Sequence, residues 1–249
     1  MISFIIQARC GSTRLPNKIL LPFYNGKSIL DLLLDKLSAI NGTNVVVATT
    51  TNANDDAIVS VAEKHGIACF RGSETDVLDR FISAAEFSGA QQIIRVCSDN
   101  PFLDVDSIEK LKEAVDSNPD ADYISFDVKG TPSIKTHYGF WTEYVTLDAL
   151  KKVRALTKDA IYHEHVTNYI YSHPEQFKIV WIMNAGTPLK NFPIRLTTDT
   201  KKDFLTAQKI YSSLIHLGIR QTIPNIVDYL SNQPDIIMEM ETEILKNSK

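Results

Sequence analysis

Ser3-Phe4-Ile5-Ile6-Gln7-Ala8 runs directly into Arg9-Cys10-Gly11-Ser12-Thr13-Arg14-Leu15-Pro16-Asn17-Lys18. The first part is a short, β-rich apolar run of strand length. The second part is a polar turn that ends the strand. In an open parallel sheet, ligands bind beyond the carboxyl ends of the strands, so this loop stands where a ligand would be. Its chemistry suits a polyphosphate: Gly11 permits close backbone approach, Ser12 and Thr13 offer hydroxyls and amides, and Arg9, Arg14 and Lys18 supply three cations. The pattern is neither G-x-x-x-x-G-K-[ST] nor G-x-G-x-x-G, so neither the P-loop nor the dinucleotide mechanism applies. The plainer alternative is a basic surface turn.

Outward from this loop, apolar strand-like runs recur at 44–49, 67–70, 92–96 and 122–126, each followed by helical periodicity. Ser28, the acidic run Asn54-Asp55-Asp56, and Thr75-Asp76 stand where helices should begin. The alternation predicts an α/β fold with parallel strands joined by helices. After about residue 127 the rhythm changes. Lys129 to Tyr144 is polar and aromatic and reads as a lid or substrate region, His163 to His173 as a helix, and Lys178 to Met183 and Pro193 to Thr198 as strands. A long amphipathic helix is expected over Thr200 to Leu217 and a helical tail over Ile223 to Leu245.

Composition narrows the function classes. The chain has 249 residues, 44% hydrophobic and 22% charged, with a net charge of −4. That balance is globular, and it provides no general basic field to hold a nucleic-acid polymer. No apolar run reaches the length needed to span a bilayer, and no basic segment precedes the first apolar run, so neither a membrane nor a signal peptide is expected and a cytoplasmic location follows. Cys10, Cys69 and Cys97 are odd in number and widely spaced, as reduced thiols would be.

Two further stretches carry chemistry. Arg95-Val96-Cys97-Ser98-Asp99-Asn100-Pro101 ends a strand in a carboxylate, which facing a phosphate loop is a natural ligand for magnesium. Arg195-Leu196-Thr197-Thr198-Asp199-Thr200 repeats the arrangement, and convergence of Asp199 with Asp99 would hold metal over a triphosphate. Either aspartate could instead cap the helix that follows it. His163-Glu164-His165 is not a zinc pair, because Thr167 stands where the second histidine of that motif belongs. No nucleophile elbow is present.

Six ordered words, IIQARCGSTRLPNK, VVATTTNANDD, FRGSETDVLDRF, RVCSDNPFLD, EHVTNYI and IRLTTDTKKDF, span nearly the whole chain. In them the sequence resembles the cytidylyltransferases that activate acidic sugars, most closely the family named for spore coat polysaccharide biosynthesis protein F. The resemblance implies a Rossmann-like nucleotide-diphospho-sugar transferase sandwich of GT-A type with a mixed, mainly parallel sheet. It implies one domain: 1–127 as the nucleotide-binding half, 128–199 as lid and sugar side, and 200–249 as C-terminal helices. It also implies CMP transfer from CTP to a sugar with release of pyrophosphate. Ala8, Arg9, Gly11, Ser12, Thr13, Arg14, Lys18, Arg71 and Ser73 would bind the nucleotide, and Asp99 and Asp199 would bind Mg2+. Arg9, Lys18, Asp99 and Asp199 would be catalytic, and His137, Tyr138, Glu143 and His165 would face the sugar. Related enzymes are often dimers, so a homodimer is the expected assembly. Transfer of another nucleotidyl group, glycosyl transfer, or nucleotide binding without turnover are the alternatives on the same fold.

This chain departs from the family pattern at Asn17 and Ser98, where glycine is usual, and at Lys201-Lys202, where Pro-Glu is usual. Thr136-His137-Tyr138-Gly139-Phe140-Trp141-Thr142-Glu143 replaces an acidic segment. Its aromatic and imidazole groups could stack on a sugar ring, or simply pack.

Overall fold

The computed structural model describes residues 2–183, 185–186, 189 and 192–247. Among them the strands are β1 (Ile2–Gln7), β2 (Pro22–Tyr24), β3 (Lys27–Ser28), β4 (Thr43–Thr50), β5 (Ala68–Gly72), β6 (Gln92–Cys97), β7 (Tyr123–Val128), β8 (Thr131–Pro132), β9 (Glu143–Thr146) and β10 (Ile179–Ile182). The α-helices are α1 (Ile29–Ser38), α2 (Asp56–Lys64), α3 (Val77–Ser88), α4 (Val105–Ser117), α5 (Leu147–Leu156), α6 (Ala160–Glu164), α7 (Asn168–Ser172), α8 (Lys201–His216), α9 (Ile223–Ser231) and α10 (Pro234–Lys246).

One eight-stranded sheet runs in the order β10-β7-β9-β6-β1-β4-β5, with β8 paired to β7. The four strands β6, β1, β4 and β5 are mutually parallel, and β9 lies antiparallel between β6 and β7. The fold is therefore α/β with a mixed, mostly parallel sheet. The apolar runs are continuous because both faces are covered. Phe4 and Ile6 of β1 enter one core cluster beneath α1 and α8, and Ile5 enters the other beneath α3 and α5. Ser28 and Asp31 close a capping box at the start of α1, Asp76 caps α3, and Thr200 with Asp203 boxes the start of α8. Among the described residues no helix is long and apolar enough to cross a membrane.

Three expectations are corrected. Pro193 to Thr198 joins no sheet: its amides are taken by loop carbonyls, Leu196 and Thr197 N–H donating to His137 O at 2.8 and 3.2 Å and Thr198 N–H to Asp99 O at 3.0 Å. His163 to His173 is two short helices, α6 and α7, broken where Thr167 turns inward to hydrogen-bond Glu143. The tail is helical as expected, in two helices separated before Pro234, whose ring disfavours helix at the preceding residue. The aromatic stretch before β9 is packing, with Phe140 and Trp141 buried, and Glu143 begins an inner strand of the sheet rather than a cover.

Register sets the site. Gln7 of β1 pairs with Cys97 of β6, so the loops after these strands leave the sheet side by side. The chain segment carrying Asp199 is then stitched across Asp99, whose carbonyl accepts from both Thr198 N–H and Thr198 Oγ1, at 3.0 and 2.9 Å. Gly139 makes this crossing possible: it has φ +68°, and a Cβ there would lie 3.2 Å from the Leu196 carbonyl and the Thr197 nitrogen. Replacing Gly139 with alanine is expected to cost about 1–3 kcal/mol, a drop in Tm of roughly 2–10 °C by calorimetry. An unchanged Tm would contradict the close approach.

Candidate active site

At the carboxyl ends of β1 and β6 lies a cleft of about 360 Å3. Arg9, Gly11, Ser12, Thr13, Arg14, Lys18, Asp99, His165 and Asp199 line it, as do Gln7, Arg95, Cys97, Ser98 and Glu164. The loop from Ala8 to Lys18 folds around one carbonyl, Cys10 O, which accepts from Ser12 N–H at 2.8 Å and Asn17 N–H at 3.1 Å. Asn17 has φ +57°, a left-handed conformation that asparagine tolerates, which accounts for the residue standing where glycine is usual. Asp55 anchors the loop's start. Its carboxylate accepts from Cys10 N–H at 2.7 Å and from Thr50 Oγ1 at 2.5 Å, and it is 2% exposed. This bonding draws Asp55 away from capping α2.

The two carboxylates converge on one cation. Lys18 Nζ donates to Asp99 Oδ2 at 2.9 Å and to Asp199 Oδ1 at 3.4 Å. Burial disfavours the charged ammonium, but Asp99 and Asp199 together raise its pKa above the ordinary lysine value. Arg14 Nη2 lies 3.1 Å from Asp199 Oδ1. Neither aspartate caps a helix: Asp104 caps α4 and Thr200 caps α8.

Behind Asp199 stands Arg195, a residue whose role the sequence did not reveal. It grips Asp203 through Nε and Nη2 at 2.7 and 2.9 Å, and the same Nη2 reaches Asp199 Oδ2 at 3.2 Å. Its Nη1 donates to His137 Nδ1 at 2.8 Å. His137 is thereby committed to positioning Arg195, and with Tyr138 it lines a separate groove, not the cleft. Tyr138 packs on Phe140 and Trp141.

Glu143, expected on the sugar side, is 1% exposed. It pairs with Arg95 Nη1 at 2.6 Å and accepts from Tyr123 Oη at 2.5 Å and Thr167 Oγ1 at 2.9 Å. Burial and then Glu143 push the Tyr123 phenol well above its ordinary pKa, which keeps it a donor. Arg95, directly opposite Glu143 in the β6–β9 register, is the partner that reaches the cleft. A charge in the middle of an apolar strand was the signal for it. Of the sugar-side expectations only His165 lines the cleft, beside Glu164, which holds Arg9 at 2.9 Å.

Ala8 is buried and contributes its amide to Ala48 O, not a cleft surface. Arg71 turns to Thr50 O, Asn52 O and Asp56, and Ser73 Oγ accepts from Asp76 N–H, so neither lines the cleft.

Among the described residues no cluster of three or more His, Cys, Asp or Glu could cage a metal ion. Asp99 and Asp199 alone form an open donor set of two oxygen ligands. That set suits magnesium, which takes one or two carboxylates and completes its shell with water and phosphate oxygens.

Residues 3–236 match the family described as Cytidylyltransferase. The chain belongs to the cytidylyltransferase family. The match encloses every residue that lines the cleft. Among relatives, MJ1063 of Methanocaldococcus jannaschii is 40% identical over 93% of this chain and 91% of its own. Spore coat polysaccharide biosynthesis protein SpsF of Bacillus subtilis is 33% identical over 97% and 99%. A solved cytidylyltransferase from Leptospira borgpetersenii superposes with TM-score 0.80 at 26% identity, covering 95% of this chain and 96% of its own.

In this cytidylyltransferase Asp55 is the anchor whose loss should be felt throughout the loop. Burial works against its charge, yet the donors from Thr50 and Cys10 hold its pKa below the ordinary carboxylate range. Its contribution is therefore present above that range and lost as pH falls through the lowered folded value. Asp55→Asn is expected to lose about 1–3 kcal/mol in urea unfolding near pH 7, with the difference from wild type shrinking toward about pH 3. An equal loss at both would contradict the charged bonding.

Proposed function

We propose that this cytidylyltransferase moves a CMP group from CTP to a hydroxyl of a sugar used in surface-polysaccharide synthesis, and releases pyrophosphate. The observation that supports this best is the cation loop facing the Asp99 and Asp199 carboxylates in one cleft. CTP follows from the family, and the polysaccharide setting from the likeness to SpsF over nearly its full length.

Arg9, Arg14 and Lys18, with the amides of Gly11 to Thr13, bind and orient the triphosphate. The acceptor hydroxyl oxygen attacks the α-phosphorus in line and loses its proton to solvent, the bond from that phosphorus to the β-phosphate oxygen breaks, and pyrophosphate departs. Magnesium held by Asp99 and Asp199 would offset charge on the phosphates. Lys18 and Arg9 stabilise the departing pyrophosphate, and Arg195 keeps Asp199 turned to the cleft. Little covalent work is asked of the protein, because positioning and charge supply the acceleration.

Thermal unfolding with magnesium and each of CTP, UTP, GTP, ATP and dTTP tests the reading. CTP at about a hundredfold over its Kd should raise Tm by roughly 5–10 °C, well above the others. In Asp99→Asn the magnesium-dependent part of the shift should vanish. No shift with any nucleotide would overturn the proposal.

A further inference from the structure

The two carboxylates offered to a metal are already bridged by a cation of the chain's own. Lys18 Nζ lies between Asp99 and Asp199, with a side chain only 13% exposed. Arg14 shares Asp199 Oδ1 with Lys18, and Arg195 holds Asp199 Oδ2. Both oxygens of Asp199 are therefore engaged in ion pairs. Three carboxylates, Asp99, Asp199 and Asp203, thus meet three cations, Lys18, Arg14 and Arg195.

We propose that Lys18 is an exchangeable counter-ion that makes the Asp99–Asp199 pair take a divalent metal only together with a nucleoside triphosphate. The inference rests on the triphosphate binding at the loop from Arg9 to Lys18. A lone divalent ion must displace Lys18 from both carboxylates, which strands a largely buried ammonium beside an ion of like charge. A metal–triphosphate complex reverses that balance. The triphosphate brings about four negative charges, so the complex is a net anion whose phosphate oxygens give Lys18 and Arg14 new partners. The flexible lysine stem lets its charge swing between the two positions, which a guanidinium locked to two oxygens cannot do. Arg195 is locked in that way by Asp203, so it stays and keeps Asp199 oriented while Lys18 leaves. By linkage, metal and nucleotide each tighten the other's binding.

The test uses the full chain and Mn2+ as the probe, with free ion read by electron paramagnetic resonance and no nucleotide present. Wild type should bind Mn2+ weakly. Lys18→Met should tighten it at least about tenfold, and Asp99→Asn added to that variant should abolish the gain. Calorimetric titration with Mg·CTP should move the opposite way, Lys18→Met binding it more weakly than wild type. Arg14→Gln, at a half-exposed side chain, should tighten Mn2+ in the same direction and serves if Lys18→Met does not fold. Micromolar Mn2+ binding by wild type, or no gain in a folded Lys18→Met, would overturn the counter-ion role. Failure of wild type to bind Mg·CTP would instead overturn the nucleotide reading, which the Mn2+ titration does not require.

Discussion

Two carboxylates far apart along the chain meet in one cleft, and the structure around them is organised to make that meeting tolerable. The Asp99 carbonyl takes both donors of Thr198, which fixes the distance between the two loops through main-chain bonds rather than through the charges themselves. Lys18, Arg14 and Arg195 then supply the opposing charge. Without the stitching the carboxylates would drift apart. Without the cations their repulsion in a partly buried site would work against the fold.

A second buried pair performs a related task on the other side of the cleft. Arg95 and Glu143 face each other in adjacent inner strands, and Tyr123 and Thr167 complete the carboxylate's bonding. Removing one partner of such a pair commonly costs about 3–5 kcal/mol because the other charge is left buried. The network also ties the sheet to the turn between α6 and α7, which carries His165, and through α6 to Glu164 and its bond to Arg9. The cleft is thus clamped by ion pairs at both ends.

The strand-and-loop units were legible because their chemistry is local. A continuous apolar run followed by Gly, Ser, Thr and basic residues reads as a parallel strand delivering a polar loop to the sheet's carboxyl edge, and 3–18 has that strand-and-loop form in the structure. Asp199 was legible as a strand-end carboxylate even though its segment is not a strand, since the extended backbone finds its partners in loop carbonyls that sequence does not display. Glu143, His137 and Tyr138 were misplaced for the same reason. Polar and aromatic residues in one run look alike whether they face a ligand or each other, and only the partners Arg95, Arg195 and Trp141 decide. Arg71 and Ser73 lie in a family word, but a word fixes position along the chain and not the direction of a side chain.

In the proposed reaction Asp99 and Asp199 act together as the metal-binding edge of a triphosphate site. The most direct measurement is anomalous diffraction from crystals of the protein with manganese and CTP. A manganese peak bridging Asp99, Asp199 and the phosphates, with Lys18 moved onto phosphate oxygens, is the predicted result. A nucleotide bound elsewhere, or a metal bound without contact to either aspartate, would contradict the account.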